Sequence, residues 1–310
     1  MASGNNINRS AAHWHGWGQY VAIAAAYEAV YEITLYLSSP QFLLTTGLRL
    51  ACMLLLPMRF WPALAVGECV PLLEHAVFCA PKFGIPWAIL ASVPTVALWW
   101  PVLKRVRQQG SLYDATGCPR IPLMLIATFF AAIITAGITT LTWVAALLHR
   151  PGKWPDHDPY QVFFSCLLGA YLGALTLTPV ILALRERCGT LSLRPGLLWR
   201  SRLLRDVVWW VLPTLTALVW FVLSTENDVV RQVARLALLW PVLGLAWCHG
   251  WHGTALGGMM ASFALAATAQ GLLDPGMLRI QAVLAVVLSG TLIAGARQRW
   301  ITSVRRLERS

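Results

Sequence analysis

Long apolar runs separated by short polar stretches occupy most of this 310-residue chain. A helix that crosses a lipid bilayer needs about 20 consecutive apolar residues, and ten segments reach or approach that length. They lie at 17–37, 41–57, 61–80, 85–103, 121–148, 161–184, 206–224, 230–247, 253–271 and 277–296. Because the second run is short and contains Arg49, we expect eight to ten crossings. The pattern predicts an all-α, polytopic bundle of transmembrane helices.

Composition supports a membrane protein and excludes a water-soluble enzyme. Apolar residues make up 57% of the chain and charged residues 12%, with a mean hydropathy of +0.61. The net charge of +11 comes from 24 Lys and Arg against 13 Asp and Glu. These basic residues lie in loops between spans and at the C-terminus, so no nucleic-acid partner is expected. The seven Cys form no CxxC pair, and we predict no disulfide framework, metal or cofactor.

The basic residues are distributed unequally between the two sides of the ten segments. Of the 24 Lys and Arg, 17 lie on the side of the N-terminus, three lie on the other side, and the rest lie within spans or at their edges. The positive-inside rule therefore places both termini in the cytoplasm. We predict a multi-pass protein of the bacterial inner membrane, with a transmembrane domain at 17–296 between cytoplasmic segments at 1–16 and 297–310.

Ionisable side chains inside apolar spans are costly and are functional hypotheses by default. Glu28 and Glu32 are one helical turn apart, and so are Tyr27 and Tyr31 beside them. Counting depth along each span places these side chains in the middle or outer half of the bilayer and Glu68 in the inner half. The predicted ligand-binding cavity opens toward the periplasm and is lined by Tyr27, Glu28, Tyr31, Glu32, Arg49, Glu74 and Arg235. The alternative is that these residues form ion pairs between helices or extend to the interface.

Nucleotide-binding and hydrolase motifs are missing from the sequence, which contains no GxxxxGK[ST], GxSxG or HExxH. The chain is therefore not expected to be an enzyme. After the last span, Trp300, Val304 and Leu307 recur at helical spacings of four and three among basic residues. This pattern predicts a helix that leaves the membrane, either as a basic lipid anchor or as a signalling helix toward an output domain.

Three stretches of the chain carry a family resemblance: Gly47–Arg49 with Arg59–Glu68, the Gly-rich Leu168–Pro179, and Leu239–Gly250. In order and spacing they resemble the first class of MASE domains, the membrane-associated sensor domains that precede histidine kinase and diguanylate cyclase modules in bacteria. Members are commonly described with about eight spans. The resemblance implies a sensory input domain without catalytic residues, whose last helix passes a signal onward.

The leading hypothesis is therefore the input domain of a two-component sensor histidine kinase. It would bind an unidentified small ligand within the lipid bilayer and relay the signal to a cytoplasmic kinase or cyclase module, with a homodimer as one arrangement. The chain contains no such module, so we expect it to be missing or carried by a partner. The alternative hypothesis is a small-solute permease or its membrane subunit, which would transport what it binds.

Overall fold

The computed structural model describes the backbone of residues 4–39, 41–110, 112–113, 119–149, 158–190, 201–269 and 274–307. Within these ranges the chain is helical and contains no β-strand, which confirms the all-α prediction. The helices in chain order are α1 Gly4–Leu37, α2 Leu44–Leu55, α3 Trp61–Phe83, α4 Ile85–Ala91, α5 Thr95–Gln109, α6 Ile121–His149, α7 Pro159–Thr190, α8 Arg202–Ser224, α9 Asp228–Ala237, α10 Trp240–Ala267 and α11 Pro275–Leu307. Of the predicted end segments 1–16 and 297–310, every side chain except that of Arg297 lies outside the described residues.

Among the described residues, six helical stretches are long and apolar enough to cross a membrane, and the bent pair α4 and α5 makes a seventh. This is fewer than the eight to ten crossings predicted. One reason is that α2 has 12 residues, which at about 1.5 Å per residue spans roughly 18 Å of an apolar layer about 30 Å thick. The count also takes α9 and α10 as one 40-residue stretch, Asp228–Ala267, although that stretch folds back on itself, and it does not include α1.

That 40-residue stretch folds back on itself at Gly250. The backbone of Gly250 has φ 61° and ψ −142°, a conformation that favours glycine. A side chain on Gly257 would lie 3.3 Å from the Cα of Val242, whereas a straight helix would separate these residues by roughly 22 Å. The stretch therefore consists of two antiparallel arms, which match the predicted segments 230–247 and 253–271.

The ends of several helices meet on one face of the bundle. Near the end of α5, Arg107 donates to the Leu56 carbonyl after α2 at 2.6 Å, and near the end of α7, Glu186 lies 3.3 Å from His252 of α10. Nine basic residues near described helix ends lie on this same face, which we name the basic face: Arg59, Lys104, Arg105, Arg107, Arg120, Arg185, Arg202, Arg205 and Arg297. We expect the basic face to be the cytoplasmic one.

Helices α2 and α7 pack closely enough that their backbones touch. A side chain on Gly47 would collide with the carbonyl of Gly173, and one on Gly173 would collide with that of Leu43. The Leu43 N–H donates to the Gly169 carbonyl at 3.1 Å, and the Thr178 hydroxyl donates to the Gly47 carbonyl at 3.0 Å. Small residues therefore fix α2 against α7.

The outer surface of the bundle carries large apolar side chains. Phe78, Leu148 and Trp220 are 76%, 77% and 74% exposed. Such exposure is unfavourable in water but matches a surface that contacts lipid acyl chains. The hydrophobic pattern of the sequence and the exposed surface of the fold thus agree on a bundle embedded in a bilayer.

Candidate functional site

A buried ion pair joins α2 to α3. Arg49 of α2 is 3% exposed and Glu68 of α3 is fully buried. The Arg49 Nη2 donates to Glu68 Oε1, and Glu68 Oε2 accepts a hydrogen bond from the backbone N–H of Val96 at 2.9 Å. Val96 lies in the first turn of α5, where backbone N–H groups lack partners within the helix and favour a negative charge. The break between α4 and α5 thus supplies Glu68 with a second donor.

Two aromatic rings lie close to the Arg49 guanidinium. Its carbon lies 4.9 Å from the centroid of the Trp99 ring and 5.9 Å from that of Tyr31, distances at which a cation is attracted to a ring face. The rings of Tyr27 and Tyr31 are 5.9 Å apart, and both side chains are buried. The structure therefore brings together three of the predicted site residues, Tyr27, Tyr31 and Arg49.

Beside this ion pair lies a cavity of about 180 Å³, which we name the Arg49 cavity. The side chains that line it come from α1, α2, α3, α4, α5 and α6 and the segments next to them: Tyr31, Leu43, Thr45, Arg49, Leu72, Trp87, Leu90, Ala91, Val93, Thr95, Thr135, Ile138, Thr139 and Thr142. Among the described residues, neither Arg49 Nε nor Thr135 Oγ1 has a hydrogen-bond partner, although both atoms are buried. Two residues of the cavity lining thus each carry a polar atom whose hydrogen bond the fold leaves unmade.

Only two of the seven predicted site residues, Tyr31 and Arg49, line this cavity, while five do not: Tyr27, Glu28, Glu32, Glu74 and Arg235. Glu28 is half-buried, and Glu32 and Glu74 are exposed on the outer surface of α1 and α3. Each residue of a helix is rotated by about 100° from the one before it. Because the Tyr27 and Tyr31 stripe faces inward, the Glu28 and Glu32 stripe turns toward the edge of the bundle. The predicted grouping of all these side chains around one cavity is therefore not what the structure shows.

Arg235 lies at a different place, near the face opposite the basic face. Its Nη1 donates to Asp274 Oδ2 at 3.0 Å and its Nη2 donates to the Thr268 carbonyl at 2.5 Å. Asp274 Oδ1 accepts the backbone N–H of Gly276 at 2.9 Å. These bonds join α9 to the end of α10 and the start of α11, and we name them the Arg235 latch. Partial burial works to raise the pKa of the Asp274 carboxyl, but the bonds from Arg235 and Gly276 outweigh it and hold the pKa below its usual value.

Sequence reasoning missed Glu68 and the hydroxyl groups of α6. Depth counting placed Glu68 in the inner half of the membrane, away from Arg49, yet a buried carboxylate needs a cation and Arg49 was the available one. Thr135, Thr139 and Thr142 recur at spacings of four and three, which is the signature of one helix face. That stripe was the signal that could have identified α6 as a wall of the cavity. Within the described ranges, no group of three or more His, Cys, Asp or Glu is arranged to hold a metal ion.

Comparison with known proteins identifies the class of membrane domain. Residues 16–298 match the family model MASE1. The chain is 27% identical over 294 residues to the signal transduction histidine-protein kinase/phosphatase UhpB of Salmonella typhimurium, an alignment that covers 90% of this chain and 52% of that kinase. The chain thus spans about half the length of this relative, and no solved structure matches it. With its apolar helices, these likenesses make it a multi-pass sensory input domain of the inner membrane. Since the family match covers nearly every residue, the chain belongs to the MASE1 family.

Proposed function

We propose that this chain is the input domain of a two-component sensor histidine kinase and that a small ligand in the Arg49 cavity selects between two packings of the bundle. The observation that carries the proposal is the buried Arg49–Glu68 pair beside a partly polar cavity. A buried ion pair is weak evidence for stability, because apolar side chains of similar volume often stabilise a fold as well or better. A functional role accounts for placing such a pair within an apolar layer.

A ligand can shift an equilibrium only if it binds the two states with different affinity. The walls of the Arg49 cavity come from several helices rather than from one rigid element, which supports a ligand affinity that depends on how those helices pack. A ligand that contacts α2 and α6 together would favour the packing in which both helices reach it. The same packing determines where α2 lies relative to its other neighbours.

Helix α2 is linked to α11 by two routes. The Gln281 side chain of α11 donates to the backbone carbonyl of Gln41, just before α2, at 2.8 Å. Through α7, which packs closely on α2, the Tyr171 hydroxyl lies 2.9 Å from Ser289 Oγ of α11. We infer that a shift of α2 reaches α11 through these contacts, since coupling is carried by contiguous packed groups.

Helix α11 continues beyond the apolar layer. Its apolar stretch ends at Arg297 on the basic face, while the helix itself extends to Leu307. A rigid helix that leaves the membrane can transmit a shift or rotation to whatever follows it. The likeness to a histidine-protein kinase/phosphatase supports a cytoplasmic kinase module as the recipient.

A hybrid kinase tests the relay without requiring a ligand. The chain is joined through α11 to the remaining half of the Salmonella relative, and autophosphorylation is measured in membranes. Substituting Gln281→Leu removes the hydrogen bond to Gln41 and is expected to change the basal rate at least about fivefold, the lower end of typical coupling energies. The control is Val283→Leu, on the same helix at a position that is 42% exposed. A folded Gln281→Leu hybrid with an unchanged rate would contradict the relay.

A further inference from the structure

We propose that the Arg49 cavity takes a small, uncharged molecule that accepts hydrogen bonds, such as an amide, ketone or ether attached to a compact apolar group. This inference rests on the proposed function and names the ligand class of the same site. It follows from three properties of the cavity: its charge balance, its unmade hydrogen bonds, and its size and walls.

The charge balance of the cavity disfavours charged ligands. Arg49 is the one charged side chain among the described residues that line it, and Glu68 already neutralises Arg49. An anion would add a net negative charge to a buried site, and a cation would find no carboxylate on the cavity wall. Both would leave an uncompensated charge in a medium of low dielectric constant, which is strongly unfavourable.

The unmade hydrogen bonds identify what the ligand must offer. Arg49 Nε carries a hydrogen and can only donate, while the Thr135 hydroxyl can donate or accept. Both lack a hydrogen-bond partner within the described chain. A ligand oxygen that accepts from either group would complete the site. Further hydroxyl groups on the wall, from Thr45 and Thr139, offer additional contacts.

The size and walls of the cavity limit the rest of the molecule. A volume of about 180 Å³ is smaller than the roughly 300–1,000 Å³ of pockets for drug-sized ligands. Leu72, Leu90 and Ile138 form an apolar wall, and the rings of Tyr31 and Trp87 also line the cavity. A compact planar group with one polar end matches this lining, because aromatic rings stack well on planar groups.

Thr135 provides a direct test because its hydroxyl contributes nothing visible to folding. An unpartnered buried hydroxyl is unfavourable for stability, so Thr135→Val should leave the melting temperature unchanged or raise it. If the hydroxyl serves a ligand, the same substitution should weaken ligand binding. The matched control is Thr128→Val, two turns earlier on α6, where the hydroxyl is satisfied by the Met124 carbonyl at 2.8 Å.

The experiment compares benzamide, benzoate and benzylamine, which share a ring and differ in charge at neutral pH. Each is titrated into the purified full chain in lipid nanodiscs, and the melting temperature and tryptophan fluorescence are recorded. We expect benzamide to raise the melting temperature saturably and both charged compounds to bind at least tenfold more weakly. Thr135→Val should weaken benzamide binding at least fivefold, while Thr128→Val should preserve it.

Tighter binding of benzoate or benzylamine would overturn the uncharged class, and so would no saturable effect of benzamide. Equal benzamide binding by Thr135→Val and the wild type would also overturn the proposal, because the hydroxyl would then serve no ligand. These failures are distinguishable from failure of the proposed function. The Gln281→Leu hybrid reports the relay with no ligand present, so an altered hybrid together with inert benzamide would reject the ligand class alone.

Discussion

Arg49 and Arg235 are buried to nearly the same degree, with 3% and 2% of their side chains exposed, and each pairs with an acid from another part of the chain. Their surroundings differ. Glu68, the partner of Arg49, is fully buried, whereas Asp274, the partner of Arg235, is 27% exposed. The Arg49 pair adjoins a cavity lined by hydroxyl groups, while Arg235 uses its second nitrogen to bind the Thr268 carbonyl.

The comparison shows that a buried arginine does not by itself identify a site. The Arg235 latch ties α9 to the ends of α10 and α11, and its acid stays in contact with solvent. The Arg49 pair is buried beside the rings of Trp99 and Tyr31, and it borders a cavity lined partly by hydroxyl-bearing residues. Both guanidinium groups carry an Nε without a hydrogen-bond partner among the described residues, so the burial of the acid and the adjoining cavity are the features that separate the sensing candidate from the structural one.

The largest expected effect is the loss of Glu68. Substituting Glu68→Gln leaves Arg49 buried without its counter-charge, and removing one partner of a buried pair typically costs about 3–5 kcal/mol of unfolding free energy. Unfolding in mixed micelles titrated with SDS would measure it. The control replaces both partners, Arg49→Met with Glu68→Leu, and should recover most of the lost stability. If the Glu68→Gln variant were as stable as the wild type, the charge of Arg49 would not depend on its buried partner, and the distinction drawn between Arg49 and Arg235 would be wrong.

A smaller effect is expected at the Arg235 latch. Substituting Asp274→Asn keeps a hydrogen-bond acceptor but removes the charge, and Arg235 retains its bond to Thr268. The expected loss is about 1.5 kcal/mol, at the low end for hydrogen bonds to charged groups because Asp274 is partly exposed. The same SDS titration measures it. Benzamide binding should be unchanged in this variant, and a weakened response would show that the latch and the cavity are coupled.

The smallest expected effect is the pH dependence of the latch. The pKa of Asp274 is lower in the folded chain than in the unfolded chain, so its stabilising contribution is complete above the unfolded value of about 3.9. It is lost as the pH falls below that value through the folded pKa. The melting-temperature difference between wild type and Asp274→Asn should therefore be constant near neutral pH and shrink toward pH 3. A melting-temperature difference that grows as the pH falls would contradict a lowered pKa of Asp274 in the folded chain.

The sequence predicted the helices well because their signal is local. An apolar run long enough to cross the membrane forms a helix, because its backbone groups must hydrogen-bond within the segment. The two arms around Gly250 were predicted in this way, as separate segments. The packing of α2 on α7 was predicted only in part. The spacing of Gly169 and Gly173 predicts a face of α7 on which another helix packs closely, but it does not identify that helix. What distinguishes α2 from a full crossing is its actual length of 12 residues, which apolar composition alone did not reveal.

The site was predicted less well because it depends on rotation and depth, which are not local. Tyr27 and Tyr31 face inward while Glu28 and Glu32, one position later, do not, and the sequence cannot tell which of two adjacent stripes faces the core. Depth counting assumes that each helix begins at the same level and crosses straight. That assumption separated Glu68 from Arg49, although the two side chains form one ion pair.

The most direct test of the proposed relay is whether filling the Arg49 cavity moves α11. Spin labels on ketone-bearing unnatural amino acids at Leu141 of α6 and Val286 of α11, which are 52% and 73% exposed, leave the native cysteines in place. Their separation is measured by pulsed electron paramagnetic resonance in nanodiscs with and without saturating benzamide. We expect a shift of about 1–2 Å or more that Thr135→Val abolishes. An unchanged separation with benzamide bound, or benzamide uptake into proteoliposomes in place of a shift, would contradict it.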